Sequence, residues 1–187
     1  VRIPVEKFVF LDRDGVINED SSEYVKSWDE FHFIPGSLEA LQLLNKKGYC
    51  VIVITNQSAV GRGMITMKTL MNIHILMRKE IQKAGGKILD VFFCPHRPDE
   101  NCPCRKPEPG LIFQAREEYG INIPKAVMVG DNAKDIMVGK RAGVGRTVLV
   151  MTGCGAKAQN ELMNKGTPPD YVAEDLLDAV KWIIGRK

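Results

Sequence analysis

Short apolar runs punctuate the chain at Phe8–Leu11, Tyr49–Ile54, Ile88–Phe93, Ala126–Val129 and Thr147–Val150. They are rich in Val, Ile and Phe and do not alternate with polar residues, the pattern of strands covered on both faces in a parallel sheet. Between them the period lengthens. Ser37–Lys47 carries Leu38, Leu41 and Leu44 at helical spacing and stops at Gly48, a residue suited to a C-terminal cap. Thr66–Ala84 sets Leu70, Ile73, Met77, Ile81 and Ala84 on one stripe, with Gly85-Gly86 after it. Further helices are predicted over 110–119, 132–141 and 175–184. Alternating strands and helices predict an α/β fold: a doubly wound, mostly parallel sheet with helices on both faces and right-handed crossovers. No repeat, low-complexity tract or linker divides the chain, so residues 1–187 are expected to form a single domain.

Composition narrows the setting. With 187 residues, 44% of them hydrophobic and 26% charged, the chain can bury an ordinary core without disulfides. No apolar run approaches a membrane span. The N-terminus moves straight into the first strand with no apolar leader, which predicts a cytoplasmic protein with no membrane partner. Twenty-six basic against 23 acidic residues leave a charge of +3, too small and dispersed for a nucleic-acid surface, and aromatics are only 7%. Five cysteines in a chain without a leader argue against a disulfide framework. A monomer is expected.

In open α/β sheets ligands bind beyond the carboxyl ends of the strands, so the residues just after each run carry the chemistry. The first strand ends in Asp12-Arg13-Asp14-Gly15. Side chains two apart in an extended strand share a face, which directs Asp12 and Asp14 to one pocket and Arg13 away. Such a pair can share a divalent cation and divide nucleophilic and acid/base work, or can simply open a polar turn. Thr55-Asn56-Gln57-Ser58 come after the second strand with hydroxyl and amide groups suited to phosphoryl oxygens, or to a turn. Gly130-Asp131-Asn132 come after the fourth, where Asp131 can reach a metal or cap a helix, and Asp135 enters that helix. Arg105-Lys106 precede another helix. Any one of these is commonplace; together they outline a magnesium-plus-phosphate site.

A second cluster, Cys94-Pro95-His96 and Cys102-Pro103-Cys104, brackets five residues. Four such ligands in one loop fit tetrahedral zinc, and with all positions taken by protein the ion would be structural. Free thiols beside a surface histidine are the alternative. Cys50 and Cys154 lie outside the pattern, and His74, within a helical stretch, is read as structural.

Asp12-Arg13-Asp14-Gly15, Thr55-Asn56, Lys106 and Gly130-Asp131 with Asp135, in this order, resemble the four motifs of the haloacid dehalogenase-superfamily phosphatases across nearly the whole chain. With Gly61-Arg62-Gly63, the Cys/His loop and Cys104-Arg105-Lys106-Pro107, the chain is similar to the group that acts on heptose 1,7-bisphosphate or histidinol phosphate. Val16 and Ala59 depart from the group, where Thr and Gly are usual; Ala59 would matter if its position needed a positive φ.

The resemblance implies a Mg²⁺-dependent phosphatase acting on a small phosphorylated sugar. Asp12 would be the nucleophile, Asp14 the acid/base, and Thr55 and Lys106 the phosphoryl-binding groups. Asp12, Asp131 and the backbone carbonyl of Asp14 would hold Mg²⁺, while Cys94, His96, Cys102 and Cys104 hold Zn²⁺. Asn56, Gln57, Ser58, Arg105 and Asn132 would contact substrate, with Arg62 reaching a distal phosphate or sugar hydroxyl. Asp135 is placed behind the metal or at the helix start rather than on it. Only 40 residues run from Gly15 to Ile54, too few for a large cap as well as a helix and a strand. Selectivity would then fall to the loops Asn18–Tyr24 and Ser58–Gly63 and to the Cys/His loop.

Overall fold

The structure, a computed structural model, describes residues 7–185. Six strands form one parallel sheet: β1 (Phe8–Leu11), β2 (Cys50–Asn56), β3 (Asp90–Cys94), β4 (Val127–Gly130), β5 (Arg146–Val150) and β6 (Tyr171–Ala173). Their spatial order is β3-β2-β1-β4-β5-β6, the doubly wound arrangement in which the direction of winding reverses between β1 and β4. Registers place Leu11, the end of β1, beside both Val53 and Val129; β4 ends one residue further on and β2 three.

Six α-helices alternate with the strands: α1 (Ser37–Lys46), α2 (Met67–Lys83), α3 (Gly110–Tyr119), α4 (Ala133–Ala142), α5 (Gly155–Asn164) and α6 (Leu176–Gly185). Alternate strand residues serve opposite faces. Val9, Leu11, Val51, Val53 and Val129 pack with Leu41 and Leu44 of α1, Met77 and Ile81 of α2 and Val180 and Ile183 of α6. Phe8, Phe10, Ile52, Ile54 and Met128 pack with Leu111, Ile112 and Ala115 of α3. Two-sided burial accounts for the unbroken apolar runs of β1, β2, β4 and β5, whose residues are buried on both faces, while β3 and β6 at the sheet edges are half-buried.

Three differences from the sequence expectations have local causes. β2 runs two residues further, to Asn56, because Thr55 and Asn56 pair with Phe93 and Cys94; both polar residues therefore sit on a rigid strand rather than in a turn. α5 and β6 leave no clear mark in the sequence. α5 buries only Gly155, Ala158 and Leu162, and β6 is a three-residue edge strand, so each carries too few apolar positions for a periodic signal. Gly48 has φ 75° one residue beyond the cap of α1, the left-handed helix end expected of that glycine. Between Gly15 and Ile54 lie a turn of 3₁₀-helix and α1, with no added cap domain.

Candidate active site

The reversal of winding brings the ends of β1 and β4 side by side, and the Asp12 N–H donates to the Val129 carbonyl across the gap (3.0 Å). One carboxylate oxygen from each of Asp12, Asp131 and Asp135 falls within 4.8 Å of the others. Lys106, 3% exposed, reaches the group from the loop before α3, with its Nζ 2.8 Å from Asp12 Oδ1 and 2.6 Å from Asp135 Oδ1. The same ammonium donates to the Ile54 carbonyl (2.9 Å). Above them opens a cavity of about 180 Å³ lined by Asp12, Asp14, Thr55, Asn56, Arg105, Lys106, Asp131, Asn132 and Asp135. A roomier hollow of about 490 Å³, with Lys7, Tyr49 and Arg146 on its wall, lies where the strands begin; it is lined by no carboxylate.

Burial of so much like charge disturbs these acids. Asp12 is pushed up to about 7, first by burial and then by Asp135, with Lys106 opposing. Asp131 rises to about 8 through burial and the charges of Asp135 and Asp12. Burial alone would hold Lys106 down, but Asp12 and Asp135 outweigh it and keep the ammonium charged. Asp135 is engaged by Lys106 and the Asn132 N–H, and the hard oxygens of Asp12 and Asp131 beside it, around a small polar cavity, are donors that a divalent cation such as magnesium takes. The backbone is shaped to it: a Cβ on Gly15 or on Gly153 would lie 2.2 Å from Asp131 Oδ2, and both glycines have positive φ. The Cys154 N–H donates to that same Oδ2 (2.7 Å) and fixes the carboxylate from the far side.

Asp14 lies differently. Arg13 does not turn away from it but folds back, donating from Nε (3.1 Å) and Nη2 (2.7 Å) to Asp14 Oδ1, because β1 ends at Leu11 and strand alternation no longer applies. Asn18 Nδ2 donates to the same oxygen (2.9 Å), and Gln57 Nε2 donates to Oδ2 (2.8 Å) and to Thr55 Oγ1 (3.0 Å). Burial pushes the Asp14 carboxyl up, but Arg13 and these hydrogen bonds together hold it below its ordinary value. Arg13 Nη1 also meets His74 Nε2 at 3.2 Å. Sequence reasoning points Arg13 away from the pocket, takes Asn18 only as the start of a selectivity loop and reads His74 as structural; the signal for His74 is a polar residue on the apolar stripe of α2.

Other polar residues take supporting positions. Asn56 grips the backbone of Lys106 on both sides, accepting from its N–H (3.0 Å) and donating to its carbonyl (3.2 Å). Asn132 caps α4, and Asp135 closes a reciprocal capping box by accepting the Asn132 N–H (3.0 Å). Ser58 is buried outside the cavity wall, and Arg62 is exposed and likewise absent from it. Asp20, Ser21 and Tyr24 do line the cavity, Tyr24 with a left-handed φ of 62° that a bulky side chain rarely adopts. Lys134, not singled out from sequence, lines it too. Ala59 lies outside the left-handed region and packs in a small core with Ile65 and Leu70, so its methyl group costs the loop nothing.

The Cys/His loop brings four ligand atoms together. Sγ of Cys94, Cys102 and Cys104 and a ring nitrogen of His96 lie within 4.8 Å of one another. Cys94 Sγ is 3.9 Å from Cys102 Sγ, and His96 Nδ1 is 3.5 Å from Cys94 Sγ and 3.4 Å from Cys104 Sγ. Tetrahedral bonds of about 2.3 Å to sulfur and 2.0 Å to nitrogen require edges of about 3.8 and 3.5 Å, so the set fits a tetrahedral metal. Arg105 and Lys106 come directly after it, and Arg105 Nη1 donates back to the His96 carbonyl (3.2 Å).

Carboxylates and a buried lysine at the winding reversal of a parallel α/β sheet define a phosphoryl-handling hydrolase. Residues 103–179 match the family model described as HAD-hydrolase-like. The D-glycero-beta-D-manno-heptose-1,7-bisphosphate 7-phosphatase of Neisseria meningitidis is 38% identical over 178 residues, 95% of this chain and 95% of that protein. The enzyme of the same name from Pseudomonas putida is 40% identical over 174 residues, 93% and 97% of the two chains. In fold, the D,D-heptose 1,7-bisphosphate phosphatase from B. bronchiseptica, crystallised with magnesium and phosphate, superposes with a TM-score of 0.89 at 37% identity, covering 97% of this chain and 99% of that one. The chain therefore belongs to the heptose 1,7-bisphosphate phosphatase family of haloacid dehalogenase-like hydrolases, and it is a phosphatase.

Proposed function

We propose that the chain hydrolyses the C7 phosphate of D-glycero-D-manno-heptose 1,7-bisphosphate through an aspartyl-phosphate. The observation that carries this reading is the Asp12 carboxylate, ion-paired to Lys106 at the floor of a cavity whose walls supply two further carboxylates. Asp12 attacks phosphorus while Lys106 and Thr55 neutralise and orient the phosphoryl oxygens. Asp14, kept ionised in the free site by Arg13 and its hydrogen bonds, would take up a proton when the anionic phosphate binds beside it and give that proton to the sugar oxygen as the phosphorus–oxygen bond breaks. It then takes a proton from the water that attacks the phosphorus of the intermediate and frees Asp12. Mg²⁺ held by Asp12, Asp131 and the Asp14 carbonyl would supply charge neutralisation between the carboxylate and the phosphate. Asp135 anchors Lys106 and the start of α4 rather than taking a metal position.

In the Cys/His loop the ligand set favours Zn²⁺, whose task is to hold Arg105 and Lys106 where they act. Arg105 and Lys134 line both the catalytic cavity and an adjoining hollow of about 390 Å³, which makes them better candidates for a distal phosphate than Arg62. The protein is taken to work as a cytoplasmic monomer; among the described residues no helix is long and apolar enough to cross a membrane. The test is a panel with Mg²⁺ of both heptose 1,7-bisphosphate anomers, histidinol phosphate and simple sugar phosphates. At least a tenfold preference in kcat/KM for the heptose substrate is expected, and Asp12→Asn should lose activity on all of them while keeping its circular-dichroism spectrum. Folded Asp12→Asn with substantial turnover would overturn the covalent route, and a preference for histidinol phosphate would overturn the substrate.

A further inference from the structure

His74 is a polar residue where the core asks for an apolar one. It sits on α2 between Leu70 and Met77, is 3% exposed, and lays its ring edge-on to Phe93 at 5.5 Å between centroids. Among the described residues the ring's one hydrogen-bonding contact is Arg13, and that contact fixes the tautomer. A guanidinium can only donate, so Nε2 must accept, and the proton then sits on Nδ1. Nδ1 is buried with no hydrogen-bond partner among the described residues. A leucine would remove the unpaired Nδ1–H but would strand the buried Arg13 Nη1, so the imidazole is kept at this position for Arg13 rather than for packing.

The neighbourhood beyond Arg13 supplies a reason. Arg13 is 1% exposed, and two of its nitrogens bind Asp14 Oδ1. With Asn18 also on Oδ1, three donors hold that oxygen, while Gln57 Nε2 donates to Oδ2, so the contacts on Oδ1 set how the carboxyl group is turned. We infer that His74 is a positioning residue: by accepting from Arg13 Nη1 it fixes the guanidinium that in turn fixes the orientation of the Asp14 carboxyl group. Burial and the charge of Arg13 hold the imidazole down at about 3, so it stays a neutral acceptor at working pH. Without that acceptor the buried Nη1 must turn toward another oxygen and pull the clamp on Asp14 out of line.

The inference rests on Asp14 acting as acid/base, and the experiment separates the two. A sugar oxygen needs a proton to leave, whereas p-nitrophenolate does not. His74→Leu is expected to lower kcat for heptose 1,7-bisphosphate about tenfold with KM changed less than twofold. First-turnover release of p-nitrophenol from p-nitrophenyl phosphate should stay within twofold of the parent. His74→Gln, whose amide oxygen can take the place of Nε2, should recover kcat to within threefold. Equal slowing of both leaving groups, no slowing of either, or failure of His74→Gln to exceed His74→Leu would overturn the inference. If His74→Leu does not fold, His74→Asn, too short to reach Arg13, carries the same comparison. Asp14→Asn is the control: if it shows no dependence on the leaving group, the acid/base reading fails together with this inference. If it shows the dependence and His74→Leu does not, only the role of His74 fails.

Discussion

At the scale of single residues, the site is a set of charges that the fold brings closer than they would choose, and His74 reports its cost without taking part in metal binding. In the unfolded chain the imidazole protonates near its ordinary value of about 6.5, whereas in the folded protein burial, Arg13 and Arg78 hold it down at about 3, with Asp14 opposing. The folded state therefore binds fewer protons than the unfolded state between those values, and stability falls as pH drops. Relative to His74→Gln, the parent should lose about 2 kcal/mol of unfolding free energy between pH 6.5 and pH 5, at roughly 1.4 kcal/mol per pH unit. Urea denaturation of both proteins at the two pH values checks it; parallel losses would mean that His74 titrates normally in the fold. Asp12, Asp14 and Asp131 were legible as candidates because carboxylates directly after apolar runs stand out. Arg13 and Asn18 were not, because a side chain that folds back on its neighbour leaves no periodic trace.

At the scale of elements, legibility followed apolar density. The five longer strands and the helices with full stripes could be read to within two residues, since a buried face must be continuous. α5, with three buried positions, and β6, with three residues, could not. The Cys/His loop is the opposite case. It has almost no core of its own, yet ligand type and spacing announced it, and the structure brings the four ligand atoms together. Asn56 holds Lys106 from the β2 side, so the loop is tethered at its far end by two hydrogen bonds and at its near end by the ligand cluster. A single zinc per chain is expected by elemental analysis. After chelation and return of magnesium alone, activity should stay below about a tenth of its starting value while the thermal unfolding of the sheet remains cooperative. Full activity without zinc would show that Asn56 suffices to place Lys106.

At the scale of the whole molecule, the cavity at one end of the sheet is roofed, among the described residues, by loops and by no added domain. Discrimination must then come from charge set at a distance from the reacting phosphorus. Arg105 arrives from the Cys/His loop and Lys134 from the first turn of α4, two elements on different sides of the winding reversal, and both line the cavity and the hollow beside it. Arg105, Lys106 and Lys134 line both spaces; Lys106 is held by Asp12 and Asp135, and Glu108 on the wall of the hollow pairs with Arg141, which leaves Arg105 and Lys134 to meet a second phosphate. A second phosphate held there would orient the sugar so that only the phosphate at its other end reaches Asp12. Removing that grip should raise the energy of bound bisphosphate and of its transition state together, which appears in KM rather than kcat. Arg105→Ala and Lys134→Ala are each expected to raise KM for heptose 1,7-bisphosphate at least tenfold, about 1.4 kcal/mol, with kcat within threefold of the parent. KM for a sugar monophosphate should scarcely move. If both substrates weaken equally, the two cations serve the reacting phosphate instead, and the adjoining hollow has no part in selection.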